Sequence, residues 1–186
     1  SAASQWFETQ GINVVDADIA AREIVEKGQP ALAQIQSAFG DWVLLESGEL
    51  NRKALREHIF QHPSARQQLE EITHPAIRQS IIEQLAQASS PYVILVSPLL
   101  FETNQHLLTQ RTLLIDASIE LQIQRASQRD GQSVAQIENI IQAQMPRDRK
   151  LDLADDIAIN DGHLEHLYTQ LQKLHLHYLE LSFSTK

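Results

Sequence analysis

Two carboxylates and an arginine follow a short apolar run in the stretch INVVDADIAARE. Asp16 and Asp18 stand two residues apart at the end of that run, and Arg22 follows one helical turn later. A carboxylate at the end of a strand can hold a metal ion or accept the proton of a hydroxyl nucleophile. A structural interpretation stays open beside this one. Asp16 can end the strand while Asp18 caps the next helix, because aspartate is a favoured N-cap residue.

Two other short motifs carry candidate site residues. SPLLFE follows the apolar run YVILV, and Pro98 fixes a turn from which Glu102 points toward a site or into solvent. THPAI places His74 directly before a proline, although a lone histidine is more often structural or solvated than catalytic. The two histidines of HLHYLE, His175 and His177, are interpreted as surface residues of a terminal helix.

Cations are concentrated in the stretch QMPRDRKLD. Arg147, Arg149 and Lys150 lie within four residues, and Asp148 and Asp152 dilute their charge. A run of charges is usually a solvated face, but arginine carries a planar fork of N–H donors that can grip two phosphate oxygens. In an acidic protein this run is therefore a candidate phosphate clamp on a polar, mobile flap.

The composition limits the class of protein. The 186 residues suit one domain, or a core with a smaller appendage, and 42% hydrophobic residues are enough for a real core. A net charge of -9 argues against nucleic-acid binding through a broad basic face. The absence of cysteine excludes disulfides and thiolate metal sites. No membrane-length apolar run or signal peptide is visible, so we expect a cytoplasmic protein without nucleic-acid or membrane partners.

Four continuous apolar runs predict the strands that must position these residues, at 13–15, 92–96, 112–115 and 157–159. Such runs are typical of a parallel sheet that is covered on both faces. The first and third runs each end in an aspartate. Helical patterns separate the runs, so the sequence predicts an α/β fold. In open α/β sheets ligands bind beyond the carboxyl ends of the strands, which places Asp16 and Asp18 at the site.

Local signals predict several helix boundaries. Pro30 occupies a first helical position, and Ser133 with Gln136 forms a capping box. Pro75 is expected to divide residues 64–88 into two helices, because the residue before a proline avoids the helical region. The last helix presents one apolar stripe, formed by Leu164, Leu167, Leu171, Leu174, Tyr178 and Leu181.

Two segments between the strands are long enough to form parts of their own. Residues 19–90 separate the first two strands, whereas a parallel crossover needs about a dozen residues. Their helical patterns predict a substrate-binding subdomain at one edge of the core. Residues 128–153 form a smaller insertion, whose polar end is the flap described above.

Taken in order, GINVVDADIAARE, THPAIR, VSPLLFE, QRDG and ADDIAINDG resemble the dephospho-coenzyme A kinase family of the P-loop kinase superfamily. The resemblance implies transfer of the ATP γ-phosphoryl group to the ribose 3′-hydroxyl of dephospho-CoA, the last step of coenzyme A biosynthesis. It implies an α/β P-loop kinase fold with a parallel sheet, a helical CoA-binding insertion and a small lid. The expected parts are a nucleotide-binding core at 1–18, 91–127 and 154–186, a CoA domain at 19–90 and a lid at 128–153.

The same resemblance implies roles for individual residues, with ATP as donor and Mg²⁺ as its metal. Asp18 is the expected general base for the ribose hydroxyl, while Asp16 holds the turn. Arg147 is the expected lid arginine, which contacts ATP and offsets charge on the transferring group. Ser1 corresponds to the last position of the phosphate loop, whose hydroxyl binds Mg²⁺, and Asn160 contacts the nucleotide. The expected dephospho-CoA contacts are Asp18, Arg22, His74, Pro98, Leu99 and Glu102.

The sequence departs from the family pattern in three places. No G-x-x-x-x-G-K-[ST] string occurs, so we expect the phosphate loop and the central strand that feeds it to precede Ser1. A parallel sheet without its central strand is expected to divide into two edge pairs. Lys150 replaces a second lid arginine and supplies charge without a fork, and Ile159 stands where an acid is common.

Two other functions stay open. A nucleoside or nucleotide kinase with the same core would share the strand-end acid and the lid arginines, but it would not need the combination of THPAI and SPLLFE. A non-catalytic binding module would have lost the phosphate loop. The sequence does not determine the oligomeric state.

Overall fold

The computed structural model describes residues 1–184 and divides the chain into two compact units. The first unit comprises Ser1–Val14 and the chain from Ala88 onward, and the second is Val15–Gln87. Helices alternate with short strands along the chain, as the predicted α/β class requires. The finer division into core, CoA domain and lid stays a prediction.

The predicted strands are all present, and their ends differ from the prediction by one residue at most. They are β1 (Asn13–Asp16), β2 (Val93–Val96), β3 (Leu113–Asp116) and β4 (Asp156–Ile159). The helices are α1 (Ala2–Thr9), α2 (Ala17–Glu23), α3 (Pro30–Phe39), α4 (Arg52–Gln61), α5 (Pro63–Gln87), α6 (Ile119–Asp130), α7 (Val134–Ala143), α8 (Arg147–Leu153) and α9 (Leu164–Ser184). Short 3₁₀ helices cover Asp41–Val43 and Gln105–Leu108.

The strands form two separate pairs, β1 with β2 and β3 with β4. The predicted division of the sheet into two pairs is therefore confirmed. β3 and β4 run parallel, with Leu113 opposite Asp156 and Asp116 opposite Ile159. This register brings the carboxyl ends of both strands, and the residues that follow them, to one edge of the pair.

Two predicted helix starts are confirmed. Pro30 is the first residue of α3, where its missing N–H would have had no helical partner. Ser133 and Gln136 form a capping box at the start of α7, each side chain bonding the other residue's main-chain N–H. None of the helices in residues 1–184 is long and apolar enough to cross a membrane.

The core of the first unit forms where α9 packs against α1 and β4. Phe7, Leu167 and Leu171 are almost fully buried in it, together with Ala158 of the strand. Residues three or four apart share one side of a helix, which explains why the spacing of the α9 leucines could predict this face.

The predicted apolar stripe of α9 is confirmed in its centre and fails at its ends. Tyr178 is buried with the central leucines, whereas Leu164 and Leu181 are 50% and 40% exposed. The expectation that His175 lies on the surface is wrong, because it stands four residues after Leu171 and shares its buried face. The Tyr92 hydroxyl lies 2.6 Å from His175 Nδ1, and burial lowers the pKa of this histidine.

The second unit has its own core, in which α3, α4 and α5 pack together around Ile35, Val43 and Leu55. The expectation that Pro75 divides this region into two helices is wrong, because α5 continues through Pro75 without a break.

Packing explains the continuity of α5. Leu69 and Ile72 before the proline contact the same cluster as Ala76 and Ile77 after it. These contacts stabilise one long helix, although Pro75 removes a main-chain hydrogen bond.

Candidate active site

Asp16 and Asp18 have different roles at the end of β1. Asp16 is the last residue of the strand and also the N-cap of α2. Its Oδ1 accepts hydrogen bonds from the main-chain N–H groups of Asp18 at 2.8 Å and Ile19 at 3.3 Å. The interpretation that Asp18 caps the helix is therefore wrong, because Asp16 is the cap and Asp18 lies inside the first turn.

The Asp18 carboxylate is free to act on a ligand. Its side chain is exposed and makes no hydrogen bond or ion pair with any residue of the described chain, 1–184. Arg22 follows four residues later on α2 and is likewise exposed, with no side-chain partner among the residues described. Because residues four apart lie on one side of a helix, a free carboxylate and a free guanidinium share one face of α2.

His74 lies in the middle of α5, on the same second unit. Its ring is exposed and makes no hydrogen bond or ring contact in the part of the chain that the structure describes. Because α5 is continuous at Pro75, His74 projects from a regular helix rather than from a helix end. Its backbone is fixed while its imidazole stays accessible.

The loop after β2 is organised by successive turns. After Pro98, the Leu99 main-chain N–H donates to Ser97 Oγ at 3.3 Å. The Leu99 carbonyl accepts from both the N–H and the hydroxyl of Thr103, at 3.1 and 2.7 Å. Asn104 closes these turns in the left-handed conformation, with φ of 57°. The loop thus has a defined shape, and it leaves the Leu99 side chain 39% exposed as an apolar contact surface.

Glu102 is held inside this loop, which excludes the alternative that it points into solvent. Both of its carboxylate oxygens are buried, and neither accepts a hydrogen bond from residues 1–184. Gln105 Oε1 and His106 Nδ1, in the next turn, are also buried without a described partner. A buried polar atom without a partner costs about 1–3 kcal/mol, so folded proteins rarely leave one. The loop therefore concentrates unsatisfied polar atoms beside the end of β2.

A bidentate ion pair joins the carboxyl end of β3 to the start of α8. Arg147 donates from Nε to Asp116 Oδ1 and from Nη2 to Asp116 Oδ2, both at 2.7 Å. Asp116 is only 7% exposed, and the hydrogen bonds from Arg147 hold the pKa of its carboxyl below the usual range. Two parallel N–H···O bonds fix the plane of the guanidinium. The pair uses two of its five N–H donors, so three remain for another partner.

Asn160 is joined to the same edge through its main chain. Its N–H donates to the Asp116 carbonyl at 2.8 Å, and its own carbonyl accepts from Arg125 Nη1 at 2.7 Å. The Asn160 side-chain amide has no hydrogen-bond partner within 1–184. The structure thus brings Arg147 and Asn160, both predicted to contact the nucleotide, to one edge of the β3–β4 pair.

The other two cations of the run, Arg149 and Lys150, do not form an ion pair within the described residues. Lys150 Nζ donates to Gln144 Oε1 at 3.2 Å, whereas Arg149 is exposed and pairs with none of the residues described. α8 begins at Arg147 and covers most of the predicted flap, residues 144–152, so the flap is largely helical.

Comparison with known proteins identifies the family. The family model for dephospho-CoA kinase matches residues 1–166. A dephospho-CoA kinase of Acinetobacter baylyi is 72% identical over 179 residues, which cover 96% of this chain and 92% of the relative. The chain belongs to the dephospho-CoA kinase family.

Solved structures agree with this membership. A dephospho-CoA kinase from Campylobacter jejuni is similar with a TM-score of 0.69 and 26% identity, over 100% of this chain and 94% of that one. A crystal structure of a Thermus thermophilus protein gives a TM-score of 0.78 at 29% identity, over 93% of this chain and 87% of that one. Membership of the dephospho-CoA kinase family confirms the predicted fold class and an ATP-dependent kinase, and it disfavours both alternative functions.

Ser1 is the candidate metal ligand of this dephospho-CoA kinase chain. Its Oγ is exposed and accepts from the Ser4 main-chain N–H at 3.2 Å as the N-cap of α1. Within residues 1–184 no group of three or more His, Asp or Glu side chains could hold a metal ion.

Asp116 joins the candidate residues at this edge, and the sequence analysis did not name it as a candidate. The sequence contained one signal for it, since Asp116 ends the third apolar run as Asp16 ends the first. Nothing in the sequence indicated its partner, because Arg147 lies 31 residues away and on a different element.

Proposed function

We propose that this dephospho-CoA kinase transfers the γ-phosphoryl group of ATP to the ribose 3′-hydroxyl of dephospho-CoA in the cytoplasm, completing coenzyme A synthesis. Family membership supports this reaction. The single structural observation that carries the proposed mechanism is the state of Asp18, an exposed, unpaired carboxylate directly after a strand.

Asp18 would align the attacking hydroxyl and accept its proton. Phosphoryl transfer needs little covalent assistance, so most of the gain comes from orientation of the nucleophile. Asp16 supports this role, because its cap bonds fix the turn from which Asp18 projects. A carboxylate already bound by helix N–H groups would be a poorer acceptor, which is why Asp16 is not assigned the proton.

The remaining acceptor contacts would come from three places. Arg22 supplies a free guanidinium for the phosphates of dephospho-CoA, and His74 supplies an accessible ring N–H. Leu99 offers apolar surface beside the turn at Pro98. Glu102 is included on the family resemblance alone, because both of its carboxylate oxygens are buried in the structure.

Arg147 would stabilise charge on the transferring phosphoryl group. Its three uncommitted N–H donors suit phosphoryl oxygens, and its plane is fixed before the substrate binds. Asn160 would contact the nucleotide through its free side-chain amide. The helical segment 128–153 would serve as the lid that carries Arg147.

Mg²⁺ fits this chain as a metal that ATP brings to the site. Ser1 would hold it through one hydroxyl oxygen, which is accessible in the structure. When bound, the metal neutralises charge on the phosphates. The residues of the chain itself orient the acceptor, accept its proton and contact the phosphoryl oxygens.

A substrate panel tests the proposal. The full gene product is assayed for ATP consumption with dephospho-CoA, with nucleosides and with nucleoside monophosphates as acceptors. We expect phosphorylation of dephospho-CoA at its ribose 3′-position and a much slower reaction with the others. Preference for a nucleoside or nucleotide would overturn the assignment in favour of the rival kinase. Binding of dephospho-CoA without turnover would favour the non-catalytic module.

A further inference from the structure

We propose that Asp116 is a positioning residue for the known reaction: it holds the Arg147 fork in the plane from which the remaining N–H groups reach the phosphoryl oxygens. The inference rests on the proposed function of Arg147. It adds a residue that would not touch ATP or dephospho-CoA itself.

The burial of the two partners is asymmetric. The Asp116 side chain is 9% exposed and the Arg147 side chain is 40% exposed. The carboxylate is thus fixed in the fold while the cation that it holds is open to a ligand. Nε and one Nη2 hydrogen form the edge that faces Asp116. The opposite edge keeps both Nη1 hydrogens and one Nη2 hydrogen, which is enough for a second bidentate contact.

The support behind Asp116 is rigid. It is the last residue of β3 and stands opposite Ile159 in the parallel pair. Its carbonyl accepts the Asn160 N–H at 2.8 Å, so the main chain is tied to β4 at this point as well. A carboxylate on such a support can remove the rotational freedom of a long arginine side chain before the substrate binds.

Position in the sheet argues for this role over a purely stabilising ion pair. Asp116 lies at the carboxyl end of β3, where ligands of α/β sheets bind. Its partner is the arginine that matches the family's lid position. The Arg111–Asp156 pair also leaves one edge of its guanidinium free, so the inference rests on the place of Asp116 at the carboxyl end of the strand and on the identity of its partner.

The first test is Asp116→Asn in the full gene product, since this change keeps the size of the side chain and removes its charge. We expect kcat to fall about 10- to 100-fold, the scale of a misplaced catalytic group. The KM for ATP should stay constant or decrease, because Arg147 loses its neutralising partner.

The control is Asp156→Asn, which removes the carboxylate of another bidentate Arg–Asp pair in the same unit. This control should keep kcat within about twofold, and equal losses of kcat in the two variants would overturn the inference.

A double-mutant cycle with Arg147→Ala separates this inference from the proposed function. If Asp116 acts through Arg147, Asp116→Asn should cause no further loss of kcat once Arg147 is removed. A multiplicative loss would show that Asp116 acts independently, which contradicts the inference. An Arg147→Ala variant with normal kcat would instead overturn the role of Arg147 itself.

Arg147→Lys gives a second variant in case Asp116→Asn does not fold. Lysine keeps the charge and cannot form the fork, while the buried carboxylate stays in place. We expect a loss of kcat close to that of Arg147→Ala, with the melting temperature unchanged within about 2 °C. Normal kcat in Arg147→Lys would show that the fixed plane is not needed, and the inference would fail.

Discussion

The two ends of the β3–β4 pair carry the same chemical motif in different surroundings. At the carboxyl end Arg147 grips Asp116 with two bonds of 2.7 Å. At the amino end Arg111 grips Asp156 with bonds of 2.6 and 2.9 Å. The exposed fractions of the side chains are nearly equal in the two pairs. Arg147 and Arg111 are both 40% exposed, while Asp116 and Asp156 are 9% and 12% exposed. Geometry and burial alone therefore do not distinguish the two pairs.

Their other contacts do distinguish them. Asp156 also accepts a hydrogen bond from the buried Tyr178 hydroxyl at 2.8 Å, which links the amino-end pair to α9 and the core. The pKa of Tyr178 is raised, mainly by burial and secondly by its hydrogen bond to Asp156. The hydroxyl therefore stays protonated and can donate to the Asp156 carboxylate. At the carboxyl end, by contrast, Arg147 is the arginine proposed for the lid, and the Asn160 main-chain N–H donates to the Asp116 carbonyl. We therefore interpret the amino-end pair as a stabilising contact of the fold, whereas the pair at the carboxyl end is proposed to position a catalytic group.

The largest expected difference between the two ends is in turnover. Arg147→Ala should lower kcat about 100-fold or more, because a donor to the developing phosphoryl charge is lost. Arg149→Ala is the matched control, since Arg149 is exposed and unpaired within the described residues. It should change kcat by less than about threefold. Steady-state assays with ATP and dephospho-CoA give both values, and equally small effects would mean that this charged run is only a solvated face.

The amino-end pair should show the opposite pattern. Arg111→Ala should lower the melting temperature by about 2–4 °C, a change typical of a small loss of stability in a protein of this size. Turnover should stay within about twofold, since no expected site residue lies at this end. Differential scanning fluorimetry and the kinase assay are run on the same sample. A drop in kcat comparable to that of Arg147→Ala would remove the distinction between the two ends.

The smallest expected effect is a pH dependence of stability. The hydrogen bonds from Arg111, aided by Tyr178, lower the pKa of Asp156 in the folded state. A carboxyl with a lowered pKa stabilises the fold above its unfolded pKa, near 4, and loses this contribution as the pH falls through the folded value. Melting temperatures of the wild type should therefore approach those of Asp156→Asn as the pH is lowered from about 6 to about 3. Parallel curves over that range would show that the pair does not contribute through ionisation.

The sequence predicted the elements of the fold better than their partners. Continuous apolar runs located all four strands, because burial on both faces leaves a direct compositional trace. The spacing of α9 predicted its buried leucines but not the burial of His175, since a histidine gives no hydrophobic signal. Pro75 was misleading for a related reason. Its local preference opposes a helix, and only the packing of residues on both sides shows why the helix continues.

The candidate site shows the same limit. The end of a strand indicated Asp18, and the family resemblance indicated Arg147 and Asn160; the roles of all three stay predictions. The pairing of Arg147 with Asp116 could not be predicted, since it joins residues 31 positions apart. The burial of Glu102 could not be predicted either, because the short motif SPLLFE allowed its carboxylate to point toward a site or into solvent.

The most direct test of the central claim, that chemistry takes place at the carboxyl ends of the strands, is the turnover of Asp18→Asn. The full gene product and the variant are compared for ATP-dependent CoA formation, with dephospho-CoA binding and the melting temperature measured in parallel. Glu23→Gln, which changes another exposed acid of α2, is the control. We predict that Asp18→Asn folds and binds dephospho-CoA but loses turnover about 100-fold or more, whereas Glu23→Gln stays near the wild-type rate. A folded Asp18→Asn variant with near-normal turnover would contradict the account.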